Sequence, residues 1–306
     1  MKAILEELRL RLKEAVGRNV AQALLFSGGL DSSILAFLSS PGIHALSVRL
    51  EEYGGDFKYA RMLSQKLGFR LHLRRVNVEE ALEAIPEVIR IRRSFDPALP
   101  NDLALYFALK LAKEKGFDNV ITGDGSDELF AGYSYMFDLN LEDYLPKLTE
   151  RMNFSAGDLG HHLGIKVKQP FLDDEFVSFA LSIKPDLKVR KEGGKRHGKW
   201  ILRKAFETFL PQEVVWQDKR PIEMGSGFTE LRGIIASKIP EEEFNKAKYP
   251  IKFLSKDHPF YYRIYRELVG EIPPPKPGEG KCPGCGAGIK ASSFHCRVCG
   301  WCRGLE

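Results

Sequence analysis

One short segment near the beginning of the chain restricts the fold more than any other feature of the sequence. An apolar run over residues 21–26 ends in Ser27-Gly28-Gly29, and apolar residues then recur with helical spacing over residues 31–39. This order predicts a buried strand, a tight turn and a helix. Glycines in such a turn let the backbone approach an anion, and the first N–H groups of the helix point towards it. The segment therefore predicts an α/β domain with a phosphate-binding loop.

The alternation of strand and helix continues through the N-terminal part of the chain. The further segments with a strand or helix pattern are 43–48, 57–67, 69–76, 79–92, 102–115 and 119–122. Strands that alternate with helices are typical of a doubly wound, mostly parallel sheet. The predicted fold class is therefore α/β.

Strand patterns fade beyond about residue 150, and a different organisation is predicted there. A proline-rich stretch at 273–280 cannot continue a helix and indicates a stiff linker. The last segment is too short for a hydrophobic core of its own. The predicted parts are a nucleotide domain at 1–150, an α-rich region completing the site at 151–272, the linker at 273–280 and a small metal-stapled module at 281–306.

The phosphate-binding loop also predicts a divalent cation. The serine hydroxyls that can add donors to the loop are those of Ser27, Ser32 and Ser33. Asp31 follows the glycines directly, and its carboxylate would repel a polyphosphate unless a cation bridged the two. Mg²⁺ is commonly held in this way, by one or two carboxylates together with substrate phosphates. We therefore expect a polyphosphate to bind here with Mg²⁺.

The segment Ser27-Gly28-Gly29-Leu30-Asp31-Ser32-Ser33 resembles the S-G-G-x-D-S-S loop of the pyrophosphatase-loop ATP enzymes. These enzymes include asparagine synthetases, GMP synthetases, NAD synthetases and tRNA-modifying ligases. The loop differs from nucleotide loops that end in Gly-Lys-Ser/Thr, because no lysine precedes Ser32. The resemblance implies a sheet of the adenine nucleotide α-hydrolase type, attack on the α-phosphate of ATP and release of pyrophosphate.

A second motif narrows the resemblance to one branch of that family. Thr122-Gly123-Asp124-Gly125-Ser126-Asp127-Glu128-Leu129-Phe130-Ala131-Gly132-Tyr133 closes the fourth predicted strand, at the sheet edge where open α/β folds bind ligands. It resembles the S-G-E-G-x-D-E-L-F-G-G-Y signature of the synthetase domain of asparagine synthetases. Further matching blocks follow in the same order at 170–173, 198–206, 210–211, and at Lys219, Gly225 and Gly227. The resemblance covers about residues 1–230.

The resemblance implies a role for each matching residue. Those expected to hold the adenosine, largely through their backbone, are Phe26, Val48, Thr122 and Gly123. Asp31 and Asp127 are expected to bind Mg²⁺ and the pyrophosphate. Lys219 is expected to neutralise charge on the phosphates, supported by Lys199. Asp124 matches a family glutamate that is tied to the acyl-adenylate.

The chain departs from the family pattern in three respects. Asp124 is one methylene shorter than the family glutamate, and Lys168-Gln169 stand where the family usually has Arg-Val. The family's glutaminase domain needs a cysteine directly after the initiator methionine, whereas this chain has Lys2. We therefore expect no intrinsic glutaminase, so ammonia would come from solution or from a separate glutaminase partner.

The five cysteines all lie between residues 282 and 302. Cys282-x2-Cys285-x10-Cys296-x2-Cys299 is the spacing of a zinc ribbon, and Cys302 is a spare thiol that could replace one ligand. Disulfides or an iron–sulfur centre are the alternatives to zinc. The ribbon could be a structural staple or a docking module for RNA or protein. The aromatic and basic residues that a nucleic-acid surface would use are Phe294, Trp301, Lys290, Arg297 and Arg303.

Charge and composition add broader expectations. Residues 184–204 contain nine Lys or Arg against Asp186 and Glu192, which indicates either a polyanion nearby or a solvated helix face. The chain has 12 Asn and Gln but 46 Lys and Arg, a bias typical of heat-adapted proteins. No segment approaches the ~18 apolar residues of a membrane span, and the N-terminus lacks a signal-peptide pattern. We therefore expect a cytoplasmic protein without a membrane partner.

The leading functional hypothesis is ATP-dependent, AMP-forming amide synthesis, in which a carboxylate is adenylated and ammonia then displaces AMP. By resemblance, the small-molecule form of this reaction converts aspartate to asparagine. The first alternative is a tRNA-modifying enzyme that adenylates a group on RNA; sulfur transfer is the weaker form of it, since no cysteine precedes residue 282. The second alternative is a non-catalytic nucleotide-binding regulator.

Overall fold

The computed structural model describes residues 1–39, 41–240, 250–291 and 293–303. By its internal contacts the chain divides into two compact units. The first contains residues 1–48, 55–74 and 108–221, and the second contains 49–54, 75–107 and 222–306. Both units are therefore discontinuous in sequence. Among the described residues, no helix combines the length and the apolar character needed to cross a membrane.

The N-terminal half alternates strands and helices as the sequence predicts. Its elements are α1 (Lys2–Arg18), β1 (Ala23–Leu25), α2 (Leu30–Leu38), β2 (His44–Leu50), α3 (Phe57–Leu67), β3 (Arg70–Val76), α4 (Val78–Arg92), α5 (Leu99–Glu114), β4 (Asn119–Ile121), α6 (Ser126–Leu129) and α7 (Leu141–Thr149).

The C-terminal half consists mainly of short helices. Its elements are α8 (Ser155–Leu163), β5 (Lys166–Lys168), α9 (Asp174–Ser182), α10 (Pro185–Lys188), β6 (Arg190–Glu192), β7 (Lys195–His197), α11 (Trp200–Phe206), α12 (Gln212–Val215), α13 (Ile222–Gly225), α14 (Glu230–Ser237), α15 (His258–Leu268), β8 (Glu279–Lys281) and β9 (Gly288–Lys290).

A five-stranded sheet in the order β3-β2-β1-β4-β5 organises the first unit. β1 pairs in parallel with β2 on one side and with β4 on the other, and β5 pairs in parallel with β4. The strand order thus reverses between β1 and β4, which is the switch point where open α/β sheets bind ligands. This arrangement confirms the predicted α/β fold class.

Local sequence explains where several elements begin and end. α1 presents Leu8, Leu12 and Val16 to the core, as its apolar spacing predicts. α3 ends at Gly68, whose φ of +72° is the left-handed conformation that glycine tolerates. Asn77 caps the N-terminus of α4, where its side chain accepts a hydrogen bond from the N–H of Glu80 at 2.7 Å.

Two features of the C-terminal half were not predicted. β5 lies in the region expected to be α-rich, yet it extends the sheet, with Val120 opposite Val167. β6 and β7 form an antiparallel hairpin within the basic segment 184–204. Both elements have strands of three residues, too short to give a periodic signal.

The C-terminal ribbon packs against other parts of the second unit. The carbonyl of Val298 accepts hydrogen bonds from the N–H of Phe95 at 2.8 Å and the hydroxyl of Ser94 at 3.3 Å. Near the first cysteine pair, the N–H of Lys252 donates to the carbonyl of Gly284 at 2.8 Å. The ribbon is thus hydrogen-bonded to its unit on two sides, although the predicted linker precedes it.

Candidate active site

The predicted phosphate-binding loop lies between β1 and α2, as the sequence indicates. Gly28 has a φ of +79°, and a Cβ at this position would lie 2.9 Å from the backbone N of Ala60. The hydroxyl of Ser33 donates to the carbonyl of Gly29 at 2.6 Å, and the hydroxyls of Ser27 and Ser32 are 3.2 Å apart. The loop is therefore closely packed, and only glycine fits at position 28.

The second motif forms a loop that contacts the first. The N–H of Thr122 donates to the carbonyl of Lys168 at 2.9 Å, which continues the β4–β5 pairing beyond the strand. A Cβ on Gly123 would lie 3.1 Å from the Cβ of Asp31. The hydroxyl of Ser126 donates to Oδ1 of Asp31 at 2.7 Å. The two loops therefore meet at the switch point of the sheet.

Two aspartates and two lysines form the charged centre of this site. The Nζ of Lys199 lies 2.6 Å from Oδ2 of Asp31 and 2.7 Å from Oδ1 of Asp127. The Nζ of Lys219 lies 2.7 Å from Oδ2 of Asp127. The Lys199 side chain is only 4% exposed, so its charge requires these carboxylates. All four residues were predicted from sequence, and the structure brings them together.

The electrostatics of the cluster favour ionised side chains. Burial by itself opposes ionisation of Asp127, but the charges and hydrogen bonds of Lys199 and Lys219 outweigh it and lower the pKa of Asp127. Burial likewise opposes charge on Lys219, but Asp127 and Asp31 raise its pKa above the ordinary value. The cluster therefore holds two negative and two positive charges in a largely buried site.

A strained backbone segment delivers Lys199 to the cluster. Lys199 has a φ of +55° at the start of α11, a conformation that is uncommon for residues other than glycine. Its N–H donates to the carbonyl of Phe130 at 2.8 Å, within the second motif. Ala131 also has a positive φ, of +52°, and Gly132 leaves space for the side chains of the cluster. The loop around residue 131 and the start of α11 therefore determine each other's conformation.

Arg203 links the segments that carry the two lysines. Its Nε donates to the carbonyl of Gly198 at 2.9 Å and its Nη1 donates to the carbonyl of Gln217 at 3.0 Å. The side chain is buried, and burial lowers the pKa of its guanidinium. Arg203 thus positions the residues next to Lys199 and Lys219.

Asp124 and Glu128 have raised pKa values for the same main reason. Burial raises the pKa of Asp124, although hydrogen bonds from Thr122 and Gln169 partly offset it. Burial and the nearby charge of Asp127 raise the pKa of Glu128 to about 7. The hydroxyl of Tyr133 donates to Glu128 at 3.1 Å. Both carboxyls therefore belong to the site, because the charge of Asp127 contributes to the raised pKa of each.

The residues expected to hold adenosine lie at the same edge of the sheet. Phe26 follows β1, and its N–H donates to the carbonyl of Leu46 at 2.8 Å. Its carbonyl accepts a hydrogen bond from Ser47 at 2.5 Å, which leaves one lone pair for a ligand. Val48 lies in β2, the neighbouring strand. Adenosine binding by these residues stays a prediction.

The residues of the site fit a magnesium ion. Asp31 and Asp127 already direct one carboxylate oxygen each to a single ammonium group, so a cation is accommodated between them. Two carboxylates and the oxygens of a substrate phosphate are the ligands that Mg²⁺ prefers. Mg²⁺ itself stays a prediction.

The four predicted cysteines converge on a common centre. The Sγ atoms of Cys282 and Cys299 are 3.7 Å apart, those of Cys285 and Cys296 are 3.8 Å apart, and all four lie within 4.8 Å of one another. Tetrahedral zinc with Zn–S bonds of about 2.3 Å requires sulfur atoms about 3.8 Å apart. The cluster therefore fits a zinc ribbon. Cys302 donates to the carbonyl of Gly300 and stands outside this group.

Part of the basic segment 184–204 pairs with carboxylates of its own unit. Besides Lys199, Lys204 pairs with Glu192 at 3.3 Å and Arg196 pairs with Asp138 at 2.7 Å. Lys184, Arg190 and Lys191 are exposed. Binding of a polyanion by this segment therefore stays a prediction.

A separate cavity of about 780 Å³ lies at the opposite edge of the sheet. It is lined by Gln22 and Ile43, next to the first residues of β1 and β2, and by Arg9 and Lys13 of α1. None of the predicted nucleotide-site residues lines it. The cavity is therefore distinct from the site described above.

Three residues of the site were not assigned a role from sequence. Ser126 bonds Asp31, Arg203 braces the lysine segments, and Gln169 bonds Asp124. Ser126 and Arg203 stand inside the matched motifs, so their positions were available as a signal. Gln169 was noted only as a departure from the family pattern.

Comparison with known proteins gives a consistent family match. The model of the family described as asparagine synthase matches residues 6–163 and 156–267. A probable glutamine-hydrolyzing asparagine synthetase of Dictyostelium discoideum is 29% identical over 82% of this chain and 52% of its own length. Asparagine synthetase B of Escherichia coli is 28% identical over 94% of this chain and 57% of its own length. The chain thus spans about half the length of these relatives.

One solved structure with a partial likeness is a U34-tRNA thiolase from Methanococcus maripaludis, which holds a [4Fe-4S] cluster. It is 14% identical, with a TM-score of 0.38, over 89% of this chain and 82% of that chain. A likeness of this size carries no conclusion about fold or chemistry.

Proposed function

Because the chain belongs to the asparagine synthase family, we propose that it catalyses ATP-dependent amide synthesis with release of AMP and pyrophosphate. The observation that supports this proposal best is the cluster of Asp31, Asp127, Lys199 and Lys219 at the switch point of the sheet. The two ammonium groups of this cluster can stabilise the charge of a departing pyrophosphate in a site where water provides little screening.

The reaction consists of two displacements. In the first, a carboxylate oxygen of the acceptor attacks the α-phosphorus of ATP, and the bond from that phosphorus to pyrophosphate breaks. In the second, ammonia attacks the acyl carbon, the bond from that carbon to the AMP oxygen breaks, and nitrogen loses a proton. Lys199 and Lys219 stabilise the charge that develops on pyrophosphate. Mg²⁺ held by Asp31 and Asp127 would add to that neutralisation.

The reference acceptor is aspartate, because the curated relatives are named asparagine synthetases. We propose that free ammonium supports the reaction and that glutamine alone does not, since cysteine first occurs in this chain at residue 282. A separate glutaminase partner would be recognised by glutamine-dependent activity that appears only on mixing. Steady release of glutamate from glutamine by the purified chain would contradict this part of the proposal.

We further propose that the cysteine cluster binds one zinc ion that folds the ribbon. The four thiolates are buried and correctly spaced, and a segment of this size needs a metal to be stable. Metal analysis of the purified protein should give one zinc per chain. Iron in place of zinc, or paired disulfides, would contradict the assignment.

A second candidate function is adenylation of a group carried by RNA. It is favoured by the ribbon, where residues 281–303 contain four Lys or Arg and no Asp or Glu. Phe294 is 43% exposed, whereas Trp301 is only 5% exposed and is too buried to stack on a base. Lys290, Arg297 and Arg303 are exposed and would contact phosphates. Trp301 therefore does not belong to such a surface, and its prediction as a nucleic-acid contact was wrong.

One experiment tests the chemistry. Purified protein is incubated with ATP, Mg²⁺, ammonium and aspartate, and nucleotide products are separated. AMP and pyrophosphate are expected, whereas ADP and phosphate would refute the proposed reaction. Asp31→Asn and Asp127→Asn should each reduce turnover at least 100-fold, because each removes charge from the cluster. Asp174→Asn, at an exposed position, is the matched control and should retain the wild-type rate.

A companion experiment separates the two candidates. Bulk tRNA replaces aspartate, and the Lys290→Ala and Arg303→Ala variants are compared with wild type. An RNA acceptor predicts tRNA-stimulated pyrophosphate release, weaker in both variants and falling steeply with salt. A small-molecule acceptor predicts no stimulation by tRNA and unchanged rates on aspartate. Absence of turnover with every acceptor, while ATP still binds, would favour the non-catalytic regulator.

A further inference from the structure

Two of the residues at which this chain departs from the family pattern, Asp124 and Gln169, are bonded to each other. Nε2 of Gln169 donates to Oδ2 of Asp124 at 2.9 Å. The same oxygen accepts a second hydrogen bond, from the hydroxyl of Thr122 at 2.7 Å. A valine at position 169 could not make this bond. The two departures therefore form one structural unit.

The sheet explains why they meet. Asp124 lies in the loop that follows β4, and Gln169 is the first residue after β5. These strands are parallel neighbours, with Ile121 opposite Lys168, so the chain leaves both strands at the same edge. The N–H of Thr122 extends this pairing by one residue through its bond to the carbonyl of Lys168. Gln169 is thus held beside the loop that carries Asp124.

Both hydrogen bonds to Asp124 fall on one oxygen. Across residues 1–39, 41–240, 250–291 and 293–303, Oδ1 of Asp124 accepts no hydrogen bond from a protein group. The side chain is half-buried, and Oδ1 remains accessible from solvent. An N–H group of a ligand could therefore donate a hydrogen bond to it. The carboxylate is therefore fixed through Oδ2 and open through Oδ1.

The same pair changes the length of the site. Aspartate ends one methylene earlier than glutamate, and the bond from Gln169 prevents the side chain from turning freely to compensate. The opposite end of the site is fixed by the Asp31, Asp127, Lys199 and Lys219 cluster. An acceptor whose carboxylate lies at the α-phosphate beside that cluster, and whose amino group reaches Asp124, must therefore be about one methylene longer than aspartate, or leave a gap.

We propose that Gln169 is a positioning residue that fixes Asp124, and that the pair selects an acceptor carboxylate bearing an amino group and one methylene longer than aspartate. Glutamate is the simplest member of that class. This inference rests on the proposed function. Gln169 acts through Asp124, whose Oδ1 accepts the hydrogen bond from the amino group of the acceptor.

The test compares wild type with Asp124→Glu, Gln169→Val and the double variant, which restores the family residues at these two positions. Each is assayed for pyrophosphate release with aspartate, glutamate, succinate and glutarate. Wild type is expected to prefer glutamate to aspartate and each amino acid to its counterpart without an amino group. The double variant is expected to shift the ratio of kcat/KM for aspartate over glutamate by at least 10-fold, the usual value of one methylene. An unchanged ratio would overturn the proposal, as would a wild-type preference for aspartate.

A second readout is independent of turnover. Aspartate side chains are labelled with ¹³C, and the titration of Asp124 is followed by NMR. Gln169→Val should raise the pKa of Asp124, because the lost donor stabilises the ionised form. Gln212→Val is the matched control, since Gln212 donates to the carbonyl of Glu207 outside the site. An unchanged titration in Gln169→Val would refute the positioning role.

These two readouts separate this inference from the proposed function. If wild type forms AMP with tRNA but with no free carboxylate, the selection of a free amino carboxylate is refuted. If wild type cleaves no ATP at all, the proposed function fails, and the NMR titration still decides whether Gln169 positions Asp124.

Discussion

Gly132→Ala should disable the charged cluster without removing any charged group. A Cβ at position 132 would lie 2.5 Å from Cε of Lys199 and 2.7 Å from Cγ of Asp127, and closer still to Oδ1 of Asp127. An ordinary contact between heavy atoms is about 3.5 Å or more, so both side chains must move by about 1 Å. The N–H of Gly132 is bonded to the carbonyl of Asp127 at 2.8 Å, which prevents the loop from moving away freely.

The consequence for activity follows from the geometry. Lys199 contacts both carboxylates at 2.6 and 2.7 Å, so a shift of this size breaks at least one ion pair in a buried site. Misplacement by about 1 Å can reduce a rate about 100-fold, and overpacking costs about 1–3 kcal/mol of stability. We therefore expect Gly132→Ala to fold, to melt several degrees lower and to release pyrophosphate at least 100-fold more slowly.

Gly157→Ala is the matched control for this substitution. Gly157 lies inside α8 in the same unit, and a Cβ there would meet no atom within 4 Å. Alanine in a helix interior is preferred to glycine by about 0.5–1 kcal/mol, so this variant should be at least as stable as wild type and fully active. Thermal unfolding and pyrophosphate release measure both effects. A Gly132→Ala enzyme with the wild-type rate would refute the argument that the close packing at Gly132 sets the position of Asp127 and Lys199.

Three further changes have definite expected outcomes. Cys285→Ser should lose the bound zinc and the ordered fold of residues 281–303, whereas Cys302→Ser should keep both. Zinc analysis and amide hydrogen exchange measure the two effects. Equal loss of zinc in both variants would contradict the ligand assignment. Burial lowers the pKa of Lys188 to about 8, so between pH 8 and about 10.5 the unfolded chain binds more protons than the folded chain. The free energy of unfolding should therefore rise with pH in that window, on the order of 3 kcal/mol in total. Lys188→Met should abolish that rise in urea unfolding, and a rise that persists in the variant would assign it to another group. Arg203→Lys should lose the hydrogen bonds to the carbonyls of Gly198 and Gln217, and each lost bond of a charged group should lower the free energy of unfolding by about 1.5–3 kcal/mol. The variant should therefore have a lower melting temperature and reduced turnover. A variant equal to wild type in both measurements would show that Arg203 does not position the lysines.

Local sequence was sufficient wherever short-range physics controls the structure. The β1 turn and α2 follow from a buried run, two glycines and helical spacing, and α3 was predicted with its observed bounds, Phe57–Leu67. The spacing of Cys282, Cys285, Cys296 and Cys299 was enough to predict that they form one cluster, because two short Cys-x-x-Cys turns are the usual arrangement of ligands around one tetrahedral metal. Motif matching added Lys199 and Lys219, which no local pattern would have connected to Asp31.

Tertiary structure decided what depends on residues distant in sequence. β5 has only three residues, and its place beside β4 is set by pairing across about 45 residues, which no periodic pattern encodes. The basic segment 184–204 shows the same limit, because its partners Asp138 and Asp31 lie far away along the chain. The bond between Asp124 and Gln169 exists because two parallel strands end at one edge of the sheet. Sequence therefore determined which chemical groups the chain supplies, and the sheet decided which of them are neutralised, buried or left open to a ligand.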